Sequence, residues 1–466
     1  MAMLSIDKTG LLKAFLGGLP GSVAARLAMA VEVDRLMEGG ALPHAEILEG
    51  LRPQLRHSHE ADPRTTRAPT PLRLFCRPFE DLLVSLPRTE KQKAVIARSS
   101  LEPVWNWIAG SLMPDAASAF VHETRALVVA NRMDAALART MAFWPLAAAA
   151  MQGGLAETGN RKALQNQLGG AMALADAEEM ALLLSAGPAI VKLQDMLLAP
   201  VPGLTETLLW DVRGIYDGLA REQADVAPYV PVIAMNRLAR PCEALRLPQQ
   251  VTRHTDDVLI SKTDMGLVGE ILFARMEALK NAIQAARHPF FDPDTLAEQV
   301  KSFTDLSGGI TREIGIRREG EWGKRLLADR AVIGKVMDGF MDRAPREILA
   351  ALPLVRGTGP KSADFSRPVP EEKQHMALDY ARLMAKCRPL AAAAAFASCH
   401  KQAQDETGAE LRRYIEDVLR ILRDGSDPRF AVAKAQFDLC VSLVELLFSA
   451  EEGELLRRRG RAAAPQ

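Results

Sequence analysis

The chain has 466 residues, 48% of them hydrophobic and 25% charged, enough for two or three domains that bury their own cores without help from disulfides or metals. Its 58 basic and 58 acidic residues cancel, which excludes a global field that would gather nucleic acid or anionic membrane, so any such contact needs a local patch. Aromatic residues are only 5% and the apolar content is aliphatic, so the composition predicts an all-α, multi-helical bundle or irregular stack of helical pairs with little or no sheet.

The chain opens with a short apolar run, Leu11 to Leu19, behind Asp7 and Lys8 and without a basic cluster, so no secretory signal is read there. Ser22 to Met37 sets Val23, Leu27, Val31 and Met37 along one helical stripe that Gly39-Gly40 stops, and residues 1–51 read as an N-terminal helical segment. Residues 52–71 are polar, basic and rich in proline, which predicts a loop or linker. His57, His59, Glu60 and Asp62 within it are metal-ligand types, but a flexible loop does not organise a site by itself, and solvated side chains are expected.

A main helical domain is expected over 72–355. Trp105 and Trp107 are two apart and cannot share one helical face. Pro114-Asp115 opens a helix running through Phe120, Leu127 and Val128. The 17 uncharged residues from Thr140 to Ala156 reach the lower limit for a membrane span, but Pro145, Gln152, Gly153, Gly154 and the alanine content predict a buried helix. Val230 to Ala234, beside a proline, is read as a minor strand or a helix end.

Asp256 to Arg287 reads as one helix of about nine turns, with Leu259, Met265, Ile271, Leu272, Met276, Leu279 and Ile283 on its apolar face. The acids at its start complement the helix dipole, and His254 with Asp257 is a candidate acid–base pair. Asp292-Pro293 has the form of an N-cap followed by proline at the first helical position. Leu306 to Arg330 is the most unusual internal segment. Gly308, Gly309, Gly315, Gly320 and Gly323 interrupt it, and arginines alternate with Glu313, Glu319 and Glu321. The interleaved acids fit a charge-balanced surface loop, while glycine-rich backbone plus Arg312, Arg317, Arg318 and Lys324, with Trp322 beside them, makes it the candidate anion- or ligand-binding surface.

Leu352 to Val355 is a second short apolar run, and residues 356–370 read as a Gly/Pro-rich linker. Gly357 to Ser362 has letters of a phosphate-binding loop, but Val355 and Pro360 stand where that loop needs glycine, and a turn-rich linker is the reading. Residues 371–466 then form a C-terminal helical unit. Glu372 and His375 share a helical face, but no other histidine has a glutamate three residues before it, and a di-iron bundle needs two such motifs. Leu411 to Leu422 and Ala431 to Leu447 form a helical pair, with Asp427-Pro428 as a cap for the second. Arg457, Arg458, Arg459 and Arg461 make a basic end, and the residues after Gly460 are expected to fray. Ala138 to Ala150 and Ala381 to Ala395 share the order ARxMA, then PLAAAA, which suggests duplicated helical units.

The cysteines Cys76, Cys242, Cys387, Cys399 and Cys440 are odd in number and include no CxxC pair, so free thiols in a reducing cytosol are expected. Cys399 and His400 are sequence neighbours and do not face one another on a helix. No nucleophile elbow, metal set or cofactor fingerprint is present. The sequence therefore leans away from an enzyme. It suggests a cytoplasmic helical interaction or scaffold protein whose partner is another protein, compatible with a homo-oligomer and without a strong nucleic-acid signal. The rival is an enzyme whose anion-binding pocket is assembled by tertiary contacts near residues 307–330.

Overall fold

A computed structural model describes residues 42–57, 69–85, 90–157, 161–253, 257–355 and 362–463, with scattered positions between 12 and 34. The fold is all-α, with one two-residue parallel pair, β1 (Leu83–Val84) and β2 (Ile96–Ala97). Two compact units divide the chain. Unit 1 holds residues 1–201 and 205–237, and unit 2 holds residues 202–204 and 238–466.

In unit 1, α1 (His44–His57) buries Leu51 with Leu16, Ala24 and Ala28. The helix α2 (Pro71–Phe75) starts where Thr70 Oγ1 accepts the Arg73 amide and Pro71 takes the first position, which needs no N–H. After α3 (Leu101–Trp107) and a π-helical turn over Ile108–Leu112 come α4 (Pro114–Val129) and α5 (Met133–Ala156). The buried residues of α5, Ala136, Thr140, Phe143, Trp144, Ala147, Ala148 and Met151, recur each turn and pack on α4 and on α7 (Ala171–Ser185), which follows α6 (Arg161–Leu168). No helix among the described residues is long and apolar enough to cross a membrane. Phe120 and Phe143 stack with ring centroids 4.3 Å apart, and Phe75 and Trp105 meet them edge-on or tilted. Trp107 is buried on the other side of its helix against Gly154. Trp144 lies over Gly187, where a Cβ would stand 2.5 Å from the ring, and its Nε1 donates to the Phe75 carbonyl at 3.0 Å. Next come α8 (Gly187–Met196), α9 (Glu206–Glu222) and α10 (Tyr229–Arg237); the Val230–Ala234 run is therefore helical and buried.

In unit 2, α11 (Arg246–Thr252) and the single turn α12 (Asp257–Ile260) precede α13 (Leu267–Ala285). The nine-turn helix expected over Asp256 to Arg287 is thus broken at 261–266. Ser261 and Thr263 hydroxyls take the Val258 and Ile260 carbonyls, and Gly266 sits so close to the Ser261 backbone that a Cβ would stand 3.0 Å from it. Leu259 consequently points to solvent, while Met265, Ile271, Leu272, Met276 and Ile283 are buried as expected.

The long helices α14 (Pro293–Glu313), α15 (Glu321–Leu349), α16 (Glu371–Cys387), α17 (Ala397–Leu422), α18 (Phe430–Leu447) and α19 (Ala450–Ala463) build the rest. Asp292 caps α14 through the Thr295 amide at 2.8 Å, with Pro293 next. Gly308 and Gly309 are helical, not loop: Gly309 makes room for Cys242, whose Sγ would lie 2.7 Å from a Cβ there. Asp427 does not cap a helix at Pro428. Its carboxylate binds the Arg429 amide and guanidinium, and α18 starts at Phe430.

The two PLAAAA segments differ. The first continues α5, whereas the second is a 3₁₀ turn and bend between α16 and α17. The C-terminal residues through Ala463 are helical, and Arg457, Arg458, Arg459 and Arg461 pair with Glu445, Glu454 and Glu416. Leu354 and Ala363 form an isolated antiparallel bridge. Residues 58–68, which hold His59, Glu60 and Asp62, and 356–361, which hold most of the phosphate-loop letters, lie outside the described residues.

Candidate functional site

Of the 307–330 segment, only residues 314–320 form a loop, which joins the end of α14 to the start of α15. Its anchors are buried. Asp257 Oδ1 accepts the Arg317 amide at 3.1 Å, and its Oδ2 would lie 2.8 Å from a Cβ on Gly320. Gly323 lies so close to the Arg317 carbonyl that a Cβ would stand 1.9 Å from the oxygen. Ile314 is buried at one end of the loop and Trp322 at the other. Trp322 Nε1 donates to Glu270 Oε1 at 2.6 Å, with its ring against Gly269 and Phe273. Arg325 completes the corner, donating to Glu270 Oε2 at 2.7 Å while its guanidinium covers Phe273. Glu313 holds the Arg246 guanidinium through both its oxygens.

The predicted residues therefore separate into two sets. Trp322 and Asp257 are loop anchors, with 1% exposure each. Arg312, Arg317, Arg318 and Lys324 are exposed. His254 lies outside the described residues, and the Asp257 carboxylate serves the loop backbone. Among the described residues, no group of three or more His, Cys, Asp or Glu side chains is arranged to hold a metal ion.

The thiols offer little nucleophilic character. Burial pushes Cys76 and Cys387 up to about 12 and Cys242 up to about 11, and it raises Cys440 as well. Cys399 is half-buried, and Asp338 raises its pKa by hydrogen bonding and by charge. His400 is buried, with its Nε2 2.8 Å from the Met384 carbonyl. His375 stands exposed near the start of α16.

Two polar constellations escaped the sequence analysis. In unit 2, the Tyr380 hydroxyl lies 3.0 Å from His288 Nδ1, and His288 Nε2 lies 3.7 Å from Glu347 Oε1. The order is hydroxyl, imidazole, carboxylate. Burial and the nearby Glu347 push the phenol up to about 12, so Tyr380 stays protonated at neutral pH. Its side chain is sealed under Phe291 and Phe340, which makes the chain of contacts a tether for the α13–α14 connection.

In unit 1, the buried carboxylates Asp176 and Glu179 of α7 grip Lys91 at 3.0 and 2.5 Å. Asp176 also accepts from the Ala97 amide and the Ser100 hydroxyl, and Glu179 from the Ala94 amide and the Tyr229 hydroxyl. The signal was available: two of the three acids in the largely apolar run Ala171 to Ser185 lie on its buried side and must find partners, because a buried unpaired carboxylate is too costly. Which partners they find is set by residues about 80 positions away.

Comparison with protein-family models, with curated proteins and with solved structures finds no match.

Proposed function

We propose that this chain is a helical interaction protein that presents the basic loop between α14 and α15 to an acidic face of another protein. The observation that carries the proposal is the division of labour in that loop. Its backbone is fixed by Asp257, Gly323 and Trp322, while Arg317 and Arg318 of the loop, Arg312 in the last turn of α14 and Lys324 in the first turn of α15 are exposed. A backbone already ordered spares a partner the cost of ordering it, about 1–2 kcal/mol per residue. Guanidinium groups suit carboxylates because their donors match two oxygens at once. Glu319 and Glu321 in the same stretch work against indiscriminate attraction of a polyanion and favour a partner with a matched charge pattern.

The test is affinity capture from the native host with the full chain and with a variant carrying R312E, R317E, R318E and K324E. The expected result is a stoichiometric protein companion that the variant loses, and that the parent chain releases as salt rises from about 0.1 M to about 1 M. A companion held equally by the variant, or none held by the parent chain, would sink the proposal.

A further inference from the structure

Unit 1 carries a cleft of 530 Å³ that no part of the loop in unit 2 uses. Leu155 and Ala156 at the end of α5, Ala181 and Leu182 of α7, and the charged residues Lys93 and Asp225 line it. Glu178, also in the lining, is already matched by Arg161 at 2.8 Å. Neither Lys93 nor Asp225 makes an ion pair among the described residues, and both are exposed. The Lys93 ammonium lies 5.6 Å from the Tyr229 ring centroid, and Asp225 precedes that tyrosine by four residues.

The segments that bear these two charges are tied to one buried atom. Glu179 Oε1 accepts the Ala94 amide, next to Lys93, at 2.7 Å, and the Tyr229 hydroxyl, four residues after Asp225, at 2.9 Å. Lys91 locks Glu179 in turn and also donates to the Val95 carbonyl at 2.7 Å. The turn that bears Asp225 is closed by Val226 N to the Gln223 carbonyl and by Tyr229 N to the Val226 carbonyl, both at 2.9 Å. A cation and an anion, unmatched by each other and held on a common anchor beside an apolar wall, are complementary to a ligand that carries both charges.

We propose that this cleft binds a small zwitterion, a molecule with a carboxylate for Lys93, an ammonium for Asp225 and an apolar body for Leu155 and Leu182. Its volume lies within the usual range for small-molecule sites, about 300–1,000 Å³. Free amino acids and short peptides share this chemistry. Isothermal titration of the full chain with leucine and with leucyl-leucine separates the two sources. Saturable binding of one of them is expected, weakened about tenfold or more by K93A, by D225A, and by N-acetylation or C-amidation of the ligand. The blocked ligands are titrated against the unaltered chain, so their result does not depend on the variants folding. No saturable heat from either zwitterion would overturn the proposal, and so would blocked forms that bind as well as the parent.

Discussion

Single residues in this protein are most informative where a charge is buried. Asp176 is fully buried and Glu179 nearly so, yet each is paired, because Lys91 and the backbone around it fold down over α7. Breaking such a set by removing the cation leaves two carboxylates facing each other in a low dielectric. Lys91→Met keeps an unbranched side chain one atom shorter and removes the charge. It is expected to cost about 3 kcal/mol, the low end for a buried pair, because the Lys91 side chain keeps 20% of its exposure. Urea unfolding of the full chain would read the loss. A change below about 1 kcal/mol, as for a surface pair, would show that the network contributes little. The same scale explains why cysteine spacing held little functional information: Cys76, Cys242, Cys387 and Cys440 fill core space as small apolar groups.

At the scale of elements, helical periodicity was a sound guide to helix existence and a poor one to helix ends. The α5 stripe, the Asp292 cap on α14 and the α17–α18 pair follow from local patterns. The break at 261–266 does not, since it depends on hydroxyls capturing carbonyls and on a close approach at Gly266. Glycine was equally ambiguous. Gly308 and Gly309 sit inside α14, whereas Gly320 and Gly323 mark the loop junction because an oxygen or a backbone stands against them. Paired substitutions test this difference. Gly323→Ala drives a Cβ into the Arg317 carbonyl and is expected to destabilise the chain by about 1–3 kcal/mol and to speed hydrogen exchange at Arg317. Gly308→Ala, with no atom within 4 Å of the new methyl, is expected to be neutral or to stabilise by about 0.5–1 kcal/mol. Equal effects from the two would contradict the anchored loop.

For the whole molecule, the chain forms two units, each with its own aromatic centre: Phe75, Phe120, Phe143 and Trp144 in one, and Phe291, Phe340 and Tyr380 in the other. Separate cores predict separate cooperative transitions. Trp105, Trp107, Trp144 and Trp210 report on unit 1 and only Trp322 on unit 2, so tryptophan emission is weighted to the first while far-ultraviolet circular dichroism sums both. Denaturant midpoints from the two probes are expected to differ. Coincident midpoints would mean that the units unfold as one.

The sequence by itself determined that this protein is helical, because Ala- and Leu-rich segments with apolar residues on each turn can bury a stripe only against other helices. It also marked Arg312, Arg317, Arg318 and Lys324 as an unusual basic stretch, because charge and glycine content are local properties. Only the tertiary structure decided that Trp322 and Asp257 hold the loop from beneath, that Lys91 answers Asp176 and Glu179, and that Lys93 and Asp225 share a cleft. Each of those facts joins residues distant in the chain, and a buried polar group specifies that it needs a partner without specifying which residue the fold will bring to it.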